Sequence, residues 1–157
     1  MFSRFAAMFP EQLPLAAVAL NFTLEKLRAV GLSKNKALAV IDLAEKIEAN
    51  KLPNKLPGRR QLLRMSDSEI IDTLTTVRGI GPWTVQMFLI FNLGRADVMP
   101  AGDLAIRKGY QQLMELEEMP DAANLLILTE HWKPYRSAAA WYLWRVVDGD
   151  NDNADDW

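Results

Sequence analysis

Cysteine is absent from the 157 residues. Its absence excludes disulfides, a cysteine-held iron–sulfur cluster and thiol catalysis. Histidine occurs once, at His131, which argues against a zinc site or a Ser-His-Asp triad. No apolar run is long enough to span a membrane. Arg4, Pro10 and Glu11 interrupt the pattern of a signal peptide. A soluble cytoplasmic protein is expected. The net charge of −2 also lacks the basic excess common among nucleic-acid-binding domains.

The acidity is unevenly placed. From Val146 to the end the chain carries Asp148, Asp150, Asp152, Asp155 and Asp156 and no basic residue. Without these five charges the net −2 becomes +3, so the body permits a polyanionic partner. Residues 148–157 are expected to be an acidic disordered tail. Residues 1–147, half of them hydrophobic as in the whole chain, suffice for one domain with a real core.

Helical spacing dominates. Thr23 is placed to cap a helix from Leu24 to Val30 that stops at Gly31, and Ser33 to cap the next, through Leu38, Ile41, Ala44 and Ile47. Pro53, Pro57 and Gly58 mark a loop from Lys51 to Arg60. Ser66-Asp67-Ser68-Glu69 has capping-box spacing and predicts a helix over about 67–76. Pro82 suits the first position of another, over about 82–93. Asp103 can cap a further helix to about Leu116, and two more run from about Asp121 to Glu130 and from Pro134 to Val147. No run alternates at the strand period, so the fold class is all-α. The opening Met1-Phe2-Ser3-Arg4-Phe5 has no entry signal. It reads as a domain lacking its beginning.

Between the two central helices lies Val77-Arg78-Gly79-Ile80-Gly81, making a helix–hairpin–helix. Glycine there allows positive φ and close approach of a nucleic-acid backbone. The N–H groups that open the Pro82 helix can hold a phosphate, helped by the helix dipole. An ordinary helix–helix turn fits a lone Gly-x-Gly equally well.

The wider context is more specific. Gly-Ile-Gly-Pro-Trp-Thr at 79–84, Asp-Val-Met-Pro-Ala-Gly-Asp-Leu-Ala-Ile-Arg at 97–107 and His-Trp-Lys-Pro-Tyr-Arg-Ser at 131–137 occur in that order. Together they closely resemble the helix–hairpin–helix-GPD superfamily of DNA glycosylases, in its 3-methyladenine DNA glycosylase II branch. Gly31-Leu32-Ser33 with Lys36 fits the same branch. The resemblance covers about Phe2 to Asp148. Members of the family carry further helices before the segment matching Phe2-Ser3-Arg4-Phe5, including a Gly-Gln-Gln-like stretch near the residue that wedges into the DNA.

The resemblance implies roles for particular residues. Asp103 becomes the catalytic carboxylate, which would stabilise positive charge on the sugar as an N-glycosidic bond breaks. Aspartate is also among the best N-cap residues, and one side chain can do both. Trp83 stands where the endonuclease III-like branch has a nucleophilic lysine, so no Schiff base and no strand cleavage are expected. Trp83, Trp144, Leu104 and Tyr142 are assigned to the substrate pocket, where a cationic alkylated purine stacks well on aromatic faces. Trp132 and Trp141 are expected in the core. Arg78, Gly79, Ile80, Gly81 and Thr84 are assigned to DNA backbone contact.

No cofactor is required by this chemistry. The carbonyls of Thr75, Val77 and Ile80 are candidates for a monovalent cation. The expected partner is double-stranded DNA with alkylated bases, and no membrane. Two alternatives stay open: a non-catalytic DNA-binding module, and a fragment completed by self-association or by a partner chain.

Overall fold

Caps decide where the helices begin. Thr23, Ser33, Ser66, Asp103 and Asp121 each turn a side-chain oxygen onto a backbone N–H of the first turn that follows, satisfying donors that a helix start leaves without a chain partner. The computed structural model of the chain describes residues 2–11, 16–52 and 59–149. Among these there are helices and turns and no strand. In order they are α1 (Phe2–Ala6), α2 (Ala16–Ala19), α3 (Leu24–Ala29), α4 (Lys34–Glu48), α5 (Arg59–Leu62), α6 (Asp67–Leu74), α7 (Pro82–Phe91), α8 (Leu104–Leu113), α9 (Ala122–Leu128) and α10 (Arg136–Gly149), with a 3-10 turn at Glu130–Trp132. The all-α expectation is met.

The boundaries differ in detail. α6 and α7 stop at Leu74 and Phe91, because Thr75 and the turn before Gly94 close them earlier than apolar spacing implied. Arg59 and Arg60, read as loop residues, open α5 instead. The rest of the predicted loop, at 53–58, and the acidic tail beyond Gly149 lie outside the described residues. Asp148 and Gly149 complete α10.

The chain divides into two compact units, 1–85 and 86–157, with the cut inside α7. In the first, α4 is the spine on which α2 and α3 pack. Phe9, Ala19 and Ala44 are buried there with Phe5, Phe22 and Val40 against them. Phe9 takes Phe5 and Phe22 edge-on, at centroid distances of 5.2 and 5.4 Å, a favoured aromatic geometry.

In the second unit α8 packs on α10. Met99, Ala101, Ile106, Tyr110, Leu125, Ala140 and Leu143 form its core. Full burial of Ile106, Leu125 or Leu143 is worth roughly 1.5–3 kcal/mol each. The two helices approach so closely that a Cβ at Gly109 would run into the Leu143 carbonyl, with its carbon only 2.9 Å away.

At the start of α10, Arg136 and Ser137 reach across to residues 95–98. Arg136 Nε and Nη2 donate to the two Asp97 carboxylate oxygens at 2.6 and 2.9 Å. The Ser137 hydroxyl donates to the Arg95 carbonyl at 2.6 Å and accepts the Val98 N–H at 2.9 Å. The Ser137 N–H completes the set on the Ala96 carbonyl at 2.9 Å. The Arg136 side chain, ahead of its charge alone, holds the Asp97 carboxyl below its ordinary pKa.

Two stability measurements test this packing. Gly109→Ala should gain helix propensity of up to about 1 kcal/mol, yet the backbone clash should outweigh it. A net loss of about 2 kcal/mol is expected from thermal or urea unfolding; a more stable variant would disprove the close approach. Asp97→Asn should cost about 1 kcal/mol near neutral pH, a modest figure because the pair is partly exposed. The native carboxyl pKa is depressed, so its contribution is present above the unfolded value and fades as pH falls through the native one. The two unfolding curves should therefore converge in acid.

Candidate functional site

The hairpin belongs to the first unit. Ser66 starts α6 with a complete capping box: its N–H donates to Glu69 Oε2 at 2.7 Å and its Oγ accepts the Glu69 N–H at 3.3 Å. Thr75 closes the helix. Two tight turns follow, Val77 N–H to the Leu74 carbonyl and Ile80 N–H to the Val77 carbonyl, each 3.1 Å. Val77 is buried and pins the turn, while Arg78 and Gly79 are exposed.

The two glycines differ. Gly79 has φ +73, in the left-handed region that disfavours side chains. Gly81 has no positive φ, and a Cβ there would meet nothing within 4 Å. Folding requires the first glycine; the folded chain alone gives no reason for the second. The Gly81 carbonyl accepts the Val85 N–H at 3.2 Å, so α7 begins on it. Pro82, the first residue of α7, has no N–H, and the i−4 carbonyl for the Thr84 amide belongs to Ile80, outside the helix. Trp83 and Thr84 are exposed at this same end.

The turn is also held from α4. The Arg78 N–H donates to Asp42 Oδ2 at 2.7 Å, and Lys46 Nζ donates to both carboxylate oxygens, Oδ1 at 2.6 Å and Oδ2 at 2.5 Å. The Lys46 hydrogen bond first, then the Arg78 amide, keep the Asp42 carboxyl below its ordinary pKa.

Asp103 belongs to the second unit and is half-buried. Its Oδ1 accepts the N–H groups of Ala105 at 2.8 Å and Ile106 at 3.3 Å, so it is the N-cap of α8 that its position predicted. Val98, Met99, Pro100 and Ala101, which lead to it, are buried, and the Arg136–Ser137 contacts fasten the residues just upstream. The carboxylate thus ends a segment fixed at both sides. Leu104, next to it, is 61% exposed.

The aromatic candidates separate. Trp144 packs on the core of the second unit and stacks on Phe91, with centroids 6.0 Å apart and planes at 25°. Tyr142 is 66% exposed. The two are two positions apart on α10, about 200° around a helix, so the structure does not bring them to one face. Trp132 is partly buried against the core beside Tyr110, as expected. Trp141 departs from its expected core place and is 47% exposed. The inward face of α10 is taken by Ser137, Ala140 and Leu143, which leaves Trp141 on the flank under the Arg145 guanidinium. Lys108 and His131 are exposed.

Asp42, Asp97, Arg136 and Ser137 were not singled out by the sequence. Arg136 and Ser137 lie inside the 131–137 motif, whereas no local pattern connects Asp42 to Arg78, 36 positions away. Among the described residues no group of three or more His, Asp or Glu side chains is placed to hold a metal ion. Likewise, among these residues no helix is long and apolar enough to cross a membrane.

Comparison with known proteins brings these features under one heading. Over 147 residues the chain is 40% identical to the Schizosaccharomyces pombe DNA-3-methyladenine glycosylase 1, covering 93% of this chain and 63% of that protein. It therefore spans about three-fifths of that relative's length. The solved structure of a 3-methyladenine DNA glycosylase from the same yeast, in complex with abasic DNA, superposes with a TM-score of 0.77 at 38% identity, covering 90% of this chain and 68% of the other. A DNA-3-methyladenine glycosidase from Bacillus halodurans gives 0.76 at 29% identity, covering 97% and 68%. Residues 1–134 match the HhH-GPD superfamily base excision DNA repair protein family, and to that superfamily the chain belongs.

Proposed function

We propose that the chain acts as a monofunctional DNA glycosylase, removing alkylated bases of the 3-methyladenine type from duplex DNA in base-excision repair. The observation that carries this reading is Asp103, a carboxylate held at a helix start on a fastened loop, in a chain similar to DNA-3-methyladenine glycosylases. An N3- or N7-alkylated purine is cationic and leaves readily. As the bond from C1′ to the base breaks, the base departs with the electron pair and the sugar becomes positive. Asp103 stabilises that charge and orients the attacking water. The water oxygen bonds to C1′, its proton is released, and an abasic site remains. Trp83 offers no amine for a Schiff base, so the strand stays intact. Trp83, Trp144 and Leu104 are proposed as base contacts, each tested by its own substitution.

The hairpin supplies the grip. Arg78, Gly79, Ile80, Gly81 and Thr84 are proposed to meet one strand's phosphates; the Arg78 and Ile80 amides are held within the protein, which leaves the Gly79, Gly81 and Thr84 amides as the candidate donors. The base then leaves the stack to reach the acid. A monovalent cation on the carbonyls of Thr75, Val77 and Ile80 is compatible with the turn. Although the Val77 oxygen already accepts the Ile80 N–H, an amide oxygen has a second lone pair. The cation would add positive charge toward a phosphate. Cytoplasmic, DNA-associated action is part of the proposal.

A second reading has its own observation. Phe5, Phe9, Val40, Leu43 and Ile47 line an open apolar groove in the first unit, as a chain that self-associates would present. A sedimentation mass independent of concentration would dismiss it.

Incubation with alkylated duplex DNA, followed by assay of free base and abasic sites, tests the main reading. Asp103→Asn should keep the cap, since asparagine caps as well as aspartate. It should fold and bind abasic DNA, yet release base at least about a hundredfold more slowly. Base release at the unmodified rate would remove Asp103 from the chemistry. At the hairpin, Gly81→Ala should leave the melting temperature nearly unchanged and weaken DNA binding about tenfold. Gly79→Ala should lower both. Replacing potassium by tetramethylammonium at equal ionic strength should weaken binding if the carbonyls hold a cation.

A further inference from the structure

The hairpin rests on an acidic residue, although its proposed ligand is a polyanion. Asp42 Oδ2 accepts the Arg78 N–H at 2.7 Å, and Lys46 Nζ lies across both carboxylate oxygens, 2.6 Å from Oδ1 and 2.5 Å from Oδ2. The contact is part of a broader fit. Asn35, Ala39 and Asp42 follow the i, i+4, i+7 spacing of one helix face. A Cβ at Gly79 would lie 3.6 Å from the Ala39 Cβ and 3.9 Å from the Asn35 carbonyl oxygen. One face of α4 therefore supports both exposed residues of the turn.

Charge alone makes this placement unfavourable for DNA binding. A carboxylate beside a phosphate-binding turn repels the phosphate. Something other than long-range attraction has to account for it, and the geometry offers two compensations. The carboxylate accepts a turn amide through Oδ2, which fixes the direction of the peptide that joins Val77 to Arg78. Lys46 bridges both oxygens and neutralises the carboxylate as a whole, so the pair presents little net charge outward.

We propose that Asp42 is a positioning residue of the DNA-binding hairpin. Its carboxylate locks the Arg78 amide so that the turn and the start of α7 keep a phosphate-accepting shape before DNA arrives, and Lys46 cancels the charge this introduces. This role rests on the hairpin being a phosphate grip. It adds a residue to that grip from a different helix, 36 positions upstream.

The sign of the effect distinguishes the role from simple electrostatics. Binding is read by fluorescence anisotropy with a labelled duplex carrying a tetrahydrofuran abasic-site analogue, across a range of salt concentrations. Asp42→Ala removes a negative charge, so attraction alone predicts tighter binding; loss of positioning predicts binding about tenfold weaker. Asp42→Asn removes the same charge but keeps an oxygen for the Arg78 N–H, and it should stay within about threefold of the unmodified chain. Asp72→Asn removes an exposed acid from α6 and should bind equally or more tightly.

Equal or tighter binding by Asp42→Ala overturns the proposal, as does an equal loss in Asp42→Asn. Failure of the unmodified chain to bind the duplex overturns the phosphate grip itself and this role with it, an outcome separable from the other two. Should Asp42→Ala not fold, hydrogen exchange in the unmodified, isotope-labelled chain decides. The Arg78 amide should exchange at least about tenfold more slowly than an unprotected amide of the same sequence context, and exchange at the unprotected rate overturns the proposal.

Discussion

Ser137 sits at the first turn of α10 with its hydroxyl between two backbone groups of a distant loop, donating to the Arg95 carbonyl and accepting the Val98 amide. The second unit depends on this exchange. Val98 is buried, and a buried amide without an acceptor costs about 1–3 kcal/mol. The loop therefore has a strong reason to stay where Ser137 can reach it. Arg136 adds a two-pronged contact to Asp97, and the packing of α8 on α10 at Gly109 fixes the far end. Between these restraints the backbone has little freedom, and Asp103 inherits that rigidity. Preorganisation of a charged group in this way is where much of an enzyme's electrostatic effect arises.

Legibility followed the range of each interaction. Caps act over three residues, so Thr23, Ser33, Ser66, Asp103 and Asp121 were readable as helix starts and are found as such. Helix ends were less readable. Thr75 closes α6 through local turn bonds that compete with apolar spacing. The supporting contacts were not legible at all, since Asp42 with Arg78 and Ser137 with Val98 pair across 36 and 39 positions. Motif resemblance partly filled that gap, because it drew in the 131–137 segment without saying what Arg136 and Ser137 do.

The aromatic residues show a second limit. Spacing on one helix separates Tyr142 from Trp144 without any tertiary information, since two steps turn the side chain to the far side. Trp141 could not be settled that way. Its exposure follows from which stripe of α10 faces α8, and that stripe is set by the small residues Ser137 and Ala140 together with Leu143, which let the helices close on Gly109. Bulk at Trp141 would suit a core position by hydrophobicity alone, and close helix packing decides against it.

The cap bonds of Asp103 have one further implication. An oxygen shared by the amides of Ala105 and Ile106 favours one rotamer of the carboxylate, and swinging out to meet a sugar would forfeit cap bonds worth about 1 kcal/mol. In the proposed reaction the nucleotide therefore makes most of the journey. Discrimination between damaged and normal DNA then lies mainly in the ease with which a nucleotide leaves its stack and in the readiness of its base to depart, and little of it in any reach of the acid.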